Sequence, residues 1–92
     1  MSQAVYTELM NKRKAQEISN RIVGVLKKER IRKGISQYKL AKDIGMSKSS
    51  ILYIENLTQH PSLYTVLLIS NYLAVDISKV ISEVLDNDCS VY

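Results

Sequence analysis

Residues 37–56 read QYKLAKDIGMSKSSILYIEN, and this stretch decides the fold of the chain. Leu40 and Ile44 are spaced i, i+4, which places them on one face of a short helix. Ile51 and Ile54 are spaced i, i+3 and share one face of a second short helix. The stretch therefore predicts two amphipathic helices in immediate succession.

The residues between and within these two helices predict how the helices are joined. Gly45 stands where the first helix ends, and a glycine can take a positive φ there without strain. Ser47 is a good N-cap for the second helix. Ala41 is small at the point where the second helix must cross closely. This spacing is typical of a helix-turn-helix, whose second helix enters the major groove of DNA.

Length and composition restrict the remaining possibilities. The chain has 92 residues, which is the size of one small domain, and 46% of them are hydrophobic. No apolar run approaches the roughly 20 residues that a membrane span requires, and the N-terminus has no apolar secretory segment. The only cysteine is Cys89, so an intrachain disulfide and a cysteine-based metal site are excluded. We expect a cytoplasmic, nucleoid-associated protein that needs no cofactor and does not contact a membrane.

No feature of the sequence indicates an enzyme. His60 is the only histidine, and it precedes Pro61 in a predicted loop without a cysteine or second histidine nearby. Neither a nucleophile motif nor a phosphate-binding loop is present. We expect a surface loop residue at His60 and no catalytic activity.

Charge is distributed unevenly along the chain. Residues 1–48 carry 12 lysines and arginines against four acids, whereas residues 49–92 carry one lysine against five acids. A basic half that includes the predicted helix-turn-helix suits a polyanionic partner. Ordinary solvated helix faces would give the same pattern, so charge alone leaves the two interpretations open.

Periodicity predicts an all-α, compact five-helix bundle. Helices are expected over about residues 18–33, 37–43, 48–56 and 62–73, and after Asp76. Gly34 would end the first helix, and Ser36, Ser62 and Asp76 would cap the second, fourth and fifth. The core-facing set of the fourth helix is predicted to be Leu63, Val66, Leu67, Ile69 and Leu73.

The chain divides into three parts. Residues 1–17 are an N-terminal extension, residues 18–85 the DNA-binding domain, and residues 86–92 a C-terminal tail. Val5, Leu9 and Met10 would form the apolar face of a short helix in the extension. That segment is either a mobile arm that touches phosphate or a helix packed on the body. We favour the packed helix.

The linked motifs resemble those of the lambda-repressor/Cro-type (XRE-like) helix-turn-helix regulators. The resemblance covers about residues 25–81 and includes KGISQ at 33–37, LAKDIGMS at 40–47, SSILYIEN at 49–56 and PSLYTVLLISNYLAV at 61–75. It implies a lambda-repressor-like bundle that binds near-palindromic operators in double-stranded DNA as a homodimer. It also implies that the two halves of a dimer meet successive major grooves about 34 Å apart.

The resemblance also implies roles for individual residues. DNA contacts are expected from Gln37, Lys48, Ser49, Ser50, Tyr53, Asn56, Thr58 and Gln59. Leu52 adds an apolar contact suited to a thymine methyl, and Lys48 can donate to guanine O6 and N7. Arg30 and Glu55 are expected to tie the first helix to the third. Ser49 and Ser50 as plain surface serines, and Tyr53 as a packed ring, remain the alternatives.

Three positions depart from the family pattern. Glu29 stands where leucine is frequent, so either its side chain reaches solvent or Ile31 packs in its place. Leu57 replaces a frequent glycine, so the turn after the recognition helix is expected to differ. Leu68 replaces a polar residue and forms an apolar stripe with Tyr64 and Tyr72. The N-terminal extension or a partner protein would cover this stripe, and we favour the extension.

These observations predict a sequence-specific transcriptional regulator, most simply a repressor. The dimer interface implied by the resemblance comprises Ile77, Val80, Ile81, Val84 and Leu85, which would form a self-complementary contact. The alternative is an antitoxin or co-regulator that acts mainly through protein–protein contacts.

Overall fold

A computed structural model describes the backbone of residues 3–87 and the side chains of residues 11–87. Within these residues there are five helices and no strand, as the sequence predicts. The helices are α1 (Gln3–Arg32), α2 (Gln37–Ile44), α3 (Lys48–Glu55), α4 (Leu63–Tyr72) and α5 (Ile77–Asp86). Residues 88–92, most of the predicted tail, lie outside the described part of the chain.

Helix α1 is longer than the sequence predicts. It runs without a break through the expected boundary at residue 18, because residues 3–17 contain neither a proline nor a glycine that would end a helix. Residues 3–17 therefore continue α1 directly, and Ala15 of this extension lines a groove together with Pro61 and Leu63. That the extension covers the stripe on α4 stays a prediction. The side chains of Val5, Leu9 and Met10 lie outside the described residues.

The helix ends follow the local capping chemistry that the sequence predicts. Ser36, Ser47 and Ser62 each accept a hydrogen bond from the backbone N–H three residues later, at 3.0 to 3.1 Å. Asp76 accepts from the N–H groups of Ser78 and Lys79. Gly45 ends α2 with a φ of 75°.

The core lies between α1, α2, α3 and α4. Its fully enclosed side chains come from each of these helices: Leu26, Leu40, Ala41, Ile51, Ile69 and Leu73. Helix α5 lies against α1 and buries Val80 and Val84, which are only 8% and 7% exposed. Each buried aliphatic side chain of this kind contributes about 1.5–3 kcal/mol relative to an exposed one.

Of the two alternatives for Glu29, the structure shows the one in which its side chain reaches the surface. The Glu29 carboxylate forms surface ion pairs with Arg32 and Lys33, and hydrogen bonding to Arg32 lowers the pKa of the carboxyl group. Ile31 does not replace a core leucine, because its side chain is 57% exposed. Helix α1 is therefore not rotated to accommodate Glu29.

The predicted faces of α4 are partly wrong. Leu63 and Leu67, expected in the core, are 69% and 46% exposed, while Ile69 and Leu73 are buried as predicted. Tyr72, expected on an apolar surface stripe, is half-buried against the core. Helix α4 is apolar almost all round, so periodicity alone could not identify its buried face.

No single helix among the described residues is long and apolar enough to cross a membrane. Helices α4 and α5 together have sufficient length and apolar character, but they meet at an angle of 113° and both contribute buried residues to the bundle.

Candidate nucleic-acid interface

The two faces of α3 differ sharply in exposure. Ile51 and Ile54 point into the bundle and are buried. On the opposite side Tyr53 is 51% exposed, and Leu52 is exposed beside it. Lys48 and Ser49 in the first turn are also exposed. Helix α3 therefore presents a polar and aromatic surface outward while its aliphatic residues fix it to the body.

A buried ion pair fixes the orientation of α3. Arg30 Nε lies 2.7 Å from Glu55 Oε2, and Arg30 Nη2 lies 2.8 Å from Glu55 Oε1. The guanidinium also donates to the carbonyl oxygen of Ile35 at 2.6 Å. A two-point contact of this kind constrains both distance and angle. The structure thus brings together the two residues expected to tie the first helix to the third.

Gln37 completes this network from the start of α2. Its Nε2 donates to Glu55 Oε1 at 3.0 Å, and its side chain is half-buried. One carboxylate thereby joins α1, α2 and α3. The position expected to contact phosphate is also a support for the recognition helix in the folded chain.

The hydroxyl groups at the start of α3 differ in exposure and in hydrogen bonding. Ser47 caps the helix, and its Oγ lies 2.9 Å from the hydroxyl of Ser50. Ser50 is half-buried. Ser49 is exposed and has no hydrogen-bond partner among the described residues, as is also true of Lys48. Lys48 and Ser49 are therefore better placed than Ser50 to reach a base edge.

The chain leaves α3 through a left-handed residue. Leu57 has a φ of 64°, a left-handed conformation that favours glycine. The hydroxyl of Thr58 donates to the carbonyl oxygen of Tyr53 at 3.0 Å and closes the turn. Asn56, Gln59 and His60 are exposed along this connection.

A second polar contact joins α2 of the helix-turn-helix to α4. The Tyr72 hydroxyl on α4 donates to Asp43 Oδ2 on α2, and Lys39 Nζ lies 2.9 Å from the same oxygen. The tyrosine hydrogen bond, followed by that of Lys39, lowers the pKa of the Asp43 carboxyl group. The same contact raises the pKa of Tyr72. Sequence inspection missed this pair, because residues 29 positions apart leave no local signal.

Lys33 and an apolar groove were also not predicted. Lys33 Nζ donates to the carbonyl oxygen of Leu73 at the end of α4, which satisfies a helix terminus. The groove has a volume of about 340 Å³ between α1, α4 and α5. Its lining residues are Ala15, Ile18, Ser19, Ile22, Val23, Pro61, Leu63, Val66 and Ile81.

The described residues contain no group of three or more histidine, cysteine or acidic side chains that could hold a metal ion. The exposed side chains of α3 and of the connection after it carry hydroxyl, amide, aromatic and ammonium groups. These groups can donate to phosphate oxygens and contact base edges.

A comparison with family models finds a match to the helix-turn-helix model HTH_3 over residues 26–80. Comparisons with curated proteins and with solved structures find no match. The matched residues include all of α2, α3 and α4, the Arg30–Glu55 pair and the exposed face described above. The chain therefore belongs to the HTH_3 family of lambda-repressor-like, DNA-binding helix-turn-helix regulators.

Proposed function

We propose that this protein is a transcriptional repressor that binds a near-palindromic operator as a homodimer. The observation that supports it most strongly is the exposed face of α3, which is held rigidly by the buried pair beneath it. Side chains that read bases need such support, because a small displacement weakens every directional hydrogen bond. A regulator that occupies an operator blocks access to the DNA beneath it, which is the simplest route to repression.

Base recognition is assigned to the exposed residues of α3. Lys48 donates to guanine O6 or N7, and Ser49 donates to a neighbouring base or phosphate. Leu52 and Tyr53 lie further along the same face and contact thymine methyl groups and sugar edges. Ser50 supports the helix start through Ser47 and contributes less to recognition.

Phosphate contacts are assigned to the ends of the helix-turn-helix. Gln37 stands at the start of α2, where backbone N–H groups suit an anion. Asn56, Thr58 and Gln59 offer amide and hydroxyl groups after α3. These contacts set the position of the protein on the duplex without reading sequence.

The proposed dimer uses α5, but not all of the residues expected there. Val80 and Val84 are buried against α1 in the same chain and offer little area to a second copy. Ile77 and Ile81 are half-buried, while Leu85 is 39% exposed. We therefore assign the contact chiefly to Leu85 and Ile81, at the C-terminal end of α5.

The decisive experiment is selection of bound duplexes from a random DNA pool, followed by binding measurements on the selected site. We expect two related half-sites about one helical turn apart. Lys48→Ala should relax one base position at a cost of about 1–3 kcal/mol. Asn56→Ala should weaken binding to all sequences alike.

Lys28→Ala is the matched control, since it removes a lysine from the surface of α1 away from α3. It should leave the selected sequence unchanged. A pool that yields no preferred sequence would refute the proposal. Selection of a single half-site with no symmetric partner would refute the proposed dimer.

A role in protein–protein regulation is the second candidate. Exposed Leu63, Tyr64 and Leu67 on α4 stand beside the apolar groove and favour it. Of the stripe expected from the sequence, Tyr64 is exposed, whereas Leu68 and Tyr72 are half-buried. An antitoxin or co-regulator would lose its protein partner in the Leu67→Asp variant and retain DNA binding. A plain repressor would show no change in either property.

A further inference from the structure

The proposed DNA-reading surface has an unusual shortage of positive charge. Lys48 is its only cationic side chain, because no lysine or arginine occurs between Lys48 and Lys79. Affinity for DNA depends strongly on neutralising phosphates with lysine and arginine. A surface with one such group needs cations from another part of the molecule.

Several cations outside α3 are already engaged within the protein. Arg30 is buried against Glu55, Arg32 pairs with Glu29, and Lys39 pairs with Asp43. Four cations of α1 and α2 differ from these, because they are exposed and form no ion pair within the described part of the chain: Lys12, Arg13, Lys28 and Lys42. Of these, Lys12 and Arg13 lie together near the N-terminal end of α1.

The geometry of α1 sets the direction of Lys12. It precedes Arg30 by eighteen residues, which is about five full turns at 3.6 residues per turn, so the two side chains leave the helix on the same side. Arg30 reaches α3 on that side. Arg13 leaves the helix about 100° further round. Lys12 therefore extends the α3-facing side of α1.

The N-terminal part of α1 extends beyond the loop that follows α3. Pro61 and Leu63, just after that loop, share the apolar groove with Ala15 and Ser19 of α1. Lys12 and Arg13 lie on the N-terminal side of this crossing. The distance along α1 from Arg30 to Lys12 is about 27 Å, at 1.5 Å per residue. That equals the length of about eight base pairs at about 3.4 Å each.

We propose that the N-terminal part of α1 is a second DNA-contacting element, in which Lys12 and Arg13 bind backbone phosphates flanking the operator half-site. The inference rests on the proposed function and adds a partner region to it. Lys12 and Arg13 supply the neutralising charge that α3 lacks. Because phosphates carry no sequence information, this contact extends the length of DNA bound without altering the preferred sequence.

The test compares two duplexes that contain the same selected operator. One has about ten base pairs of flanking DNA on each side, and the other ends at the outer edge of each half-site. The variant is Lys12→Ala with Arg13→Ala; alanine preserves the helix because it is the best helix former. The control is Lys28→Ala with Lys79→Ala, which removes the same charge from other surfaces.

On the long duplex, the Lys12/Arg13 double variant should bind about tenfold or more weakly near 0.1 M salt. Because a homodimer carries two copies of each residue, four phosphate contacts are lost and the slope of log affinity against log salt should fall by about four. The wild type should lose a similar factor on the short duplex, where the double variant should lose nothing further. The control should match the wild type on both duplexes.

Two results would overturn the inference. In the first, the Lys12/Arg13 double variant and the wild type show the same slope of log affinity against log salt on the long duplex. In the second, the wild type and the double variant lose affinity by the same factor when the long duplex is replaced by the short one. In both cases sequence-specific binding through Lys48 would remain, so the proposed function would stand. Absence of any preferred sequence would instead remove the proposed function.

Discussion

At the scale of single residues, the Arg30–Glu55 pair matters most to both stability and recognition. Glu55→Ala would leave the Arg30 guanidinium buried without its carboxylate partner. Loss of one partner of a buried pair costs about 3–5 kcal/mol. We expect a decrease of that size in the free energy of unfolding, measured by urea denaturation. Glu55→Gln should be milder, since its amide oxygen still accepts hydrogen bonds from Arg30 and Gln37.

Glu29→Ala is the natural control for this measurement. It removes a carboxylate that also pairs with an arginine, Arg32, but at the surface of α1. Water solvates both groups once the pair is broken, so the loss should be much smaller. Equal losses for Glu29→Ala and Glu55→Ala would show that burial does not distinguish the two ion pairs.

Left-handed backbone positions give a second prediction at the residue scale. Ala74 has a φ of 56° and carries a side chain that this conformation disfavours. Ala74→Gly should raise the free energy of unfolding by up to about 1 kcal/mol, since glycine adopts positive φ freely. Gly45→Ala should lower it by about 1 kcal/mol, although an added Cβ would meet nothing within 4 Å. Thermal unfolding measures both, and changes of the same sign would contradict the argument.

The positions with positive φ show how far the type of a single residue predicts its backbone conformation. Gly34 and Gly45 were predicted to end helices, and both have positive φ, because the requirement is local and glycine meets it. Leu57 and Ala74 take the same conformation although neither residue type favours it, and only at Leu57 did the resemblance indicate a glycine position. Their backbone is set by the helices on either side, which have to change direction at those points to pack.

At the scale of helices, the Tyr72–Asp43 contact between α4 and α2 predicts a pH dependence. The folded-state pKa of Asp43 lies below its ordinary value of 3.8, chiefly because of the Tyr72 hydrogen bond. This stabilisation is therefore present above about pH 4 and lost as pH falls through the lowered pKa. Tyr72→Phe should raise the Asp43 pKa, as measured by carboxyl NMR titration. Its destabilising effect should shrink in acid.

Tyr64→Phe provides the matched control on the same helix. The Tyr64 ring is largely exposed, and its hydroxyl has no partner among the described residues. It should leave the Asp43 titration unchanged. An Asp43 pKa that is the same in the wild type and in Tyr72→Phe would show that the hydrogen bond does not persist in solution.

Helices also differ in how well their sequences predict them. The caps of α2 to α5 were predictable, since a serine or aspartate contacts backbone groups only two or three residues away. The buried face of α4 was not, since most of its residues are apolar and only packing against α1 and α2 selects one side. The start of α1 was placed too late, because nothing in residues 3–17 indicates either a helix end or a separate element.

At the scale of the whole molecule, the arrangement of charge follows the arrangement of function. The basic half of the chain contains α1, α2 and the start of α3, and the acidic half contains the proposed dimer contact. The negative field of DNA attracts the basic half and repels the acidic groups at and on α5, which favours approach in one orientation. Composition revealed this division, but only the fold showed which cations are already paired.

The oligomeric state provides the last prediction. Leu85 is exposed on α5, so Leu85→Asp should leave the monomer folded and place a carboxylate in the proposed interface. Two such charges facing across a two-fold axis repel each other and lose apolar contact. We expect sedimentation to show a dimer for the wild type and a monomer for the variant, with weaker binding to the two-half-site operator. Val84→Asp should instead unfold the chain, since Val84 is packed against α1. A folded Leu85→Asp variant that remains dimeric would exclude this end of α5 from the interface and direct attention to exposed Leu63 and Leu67.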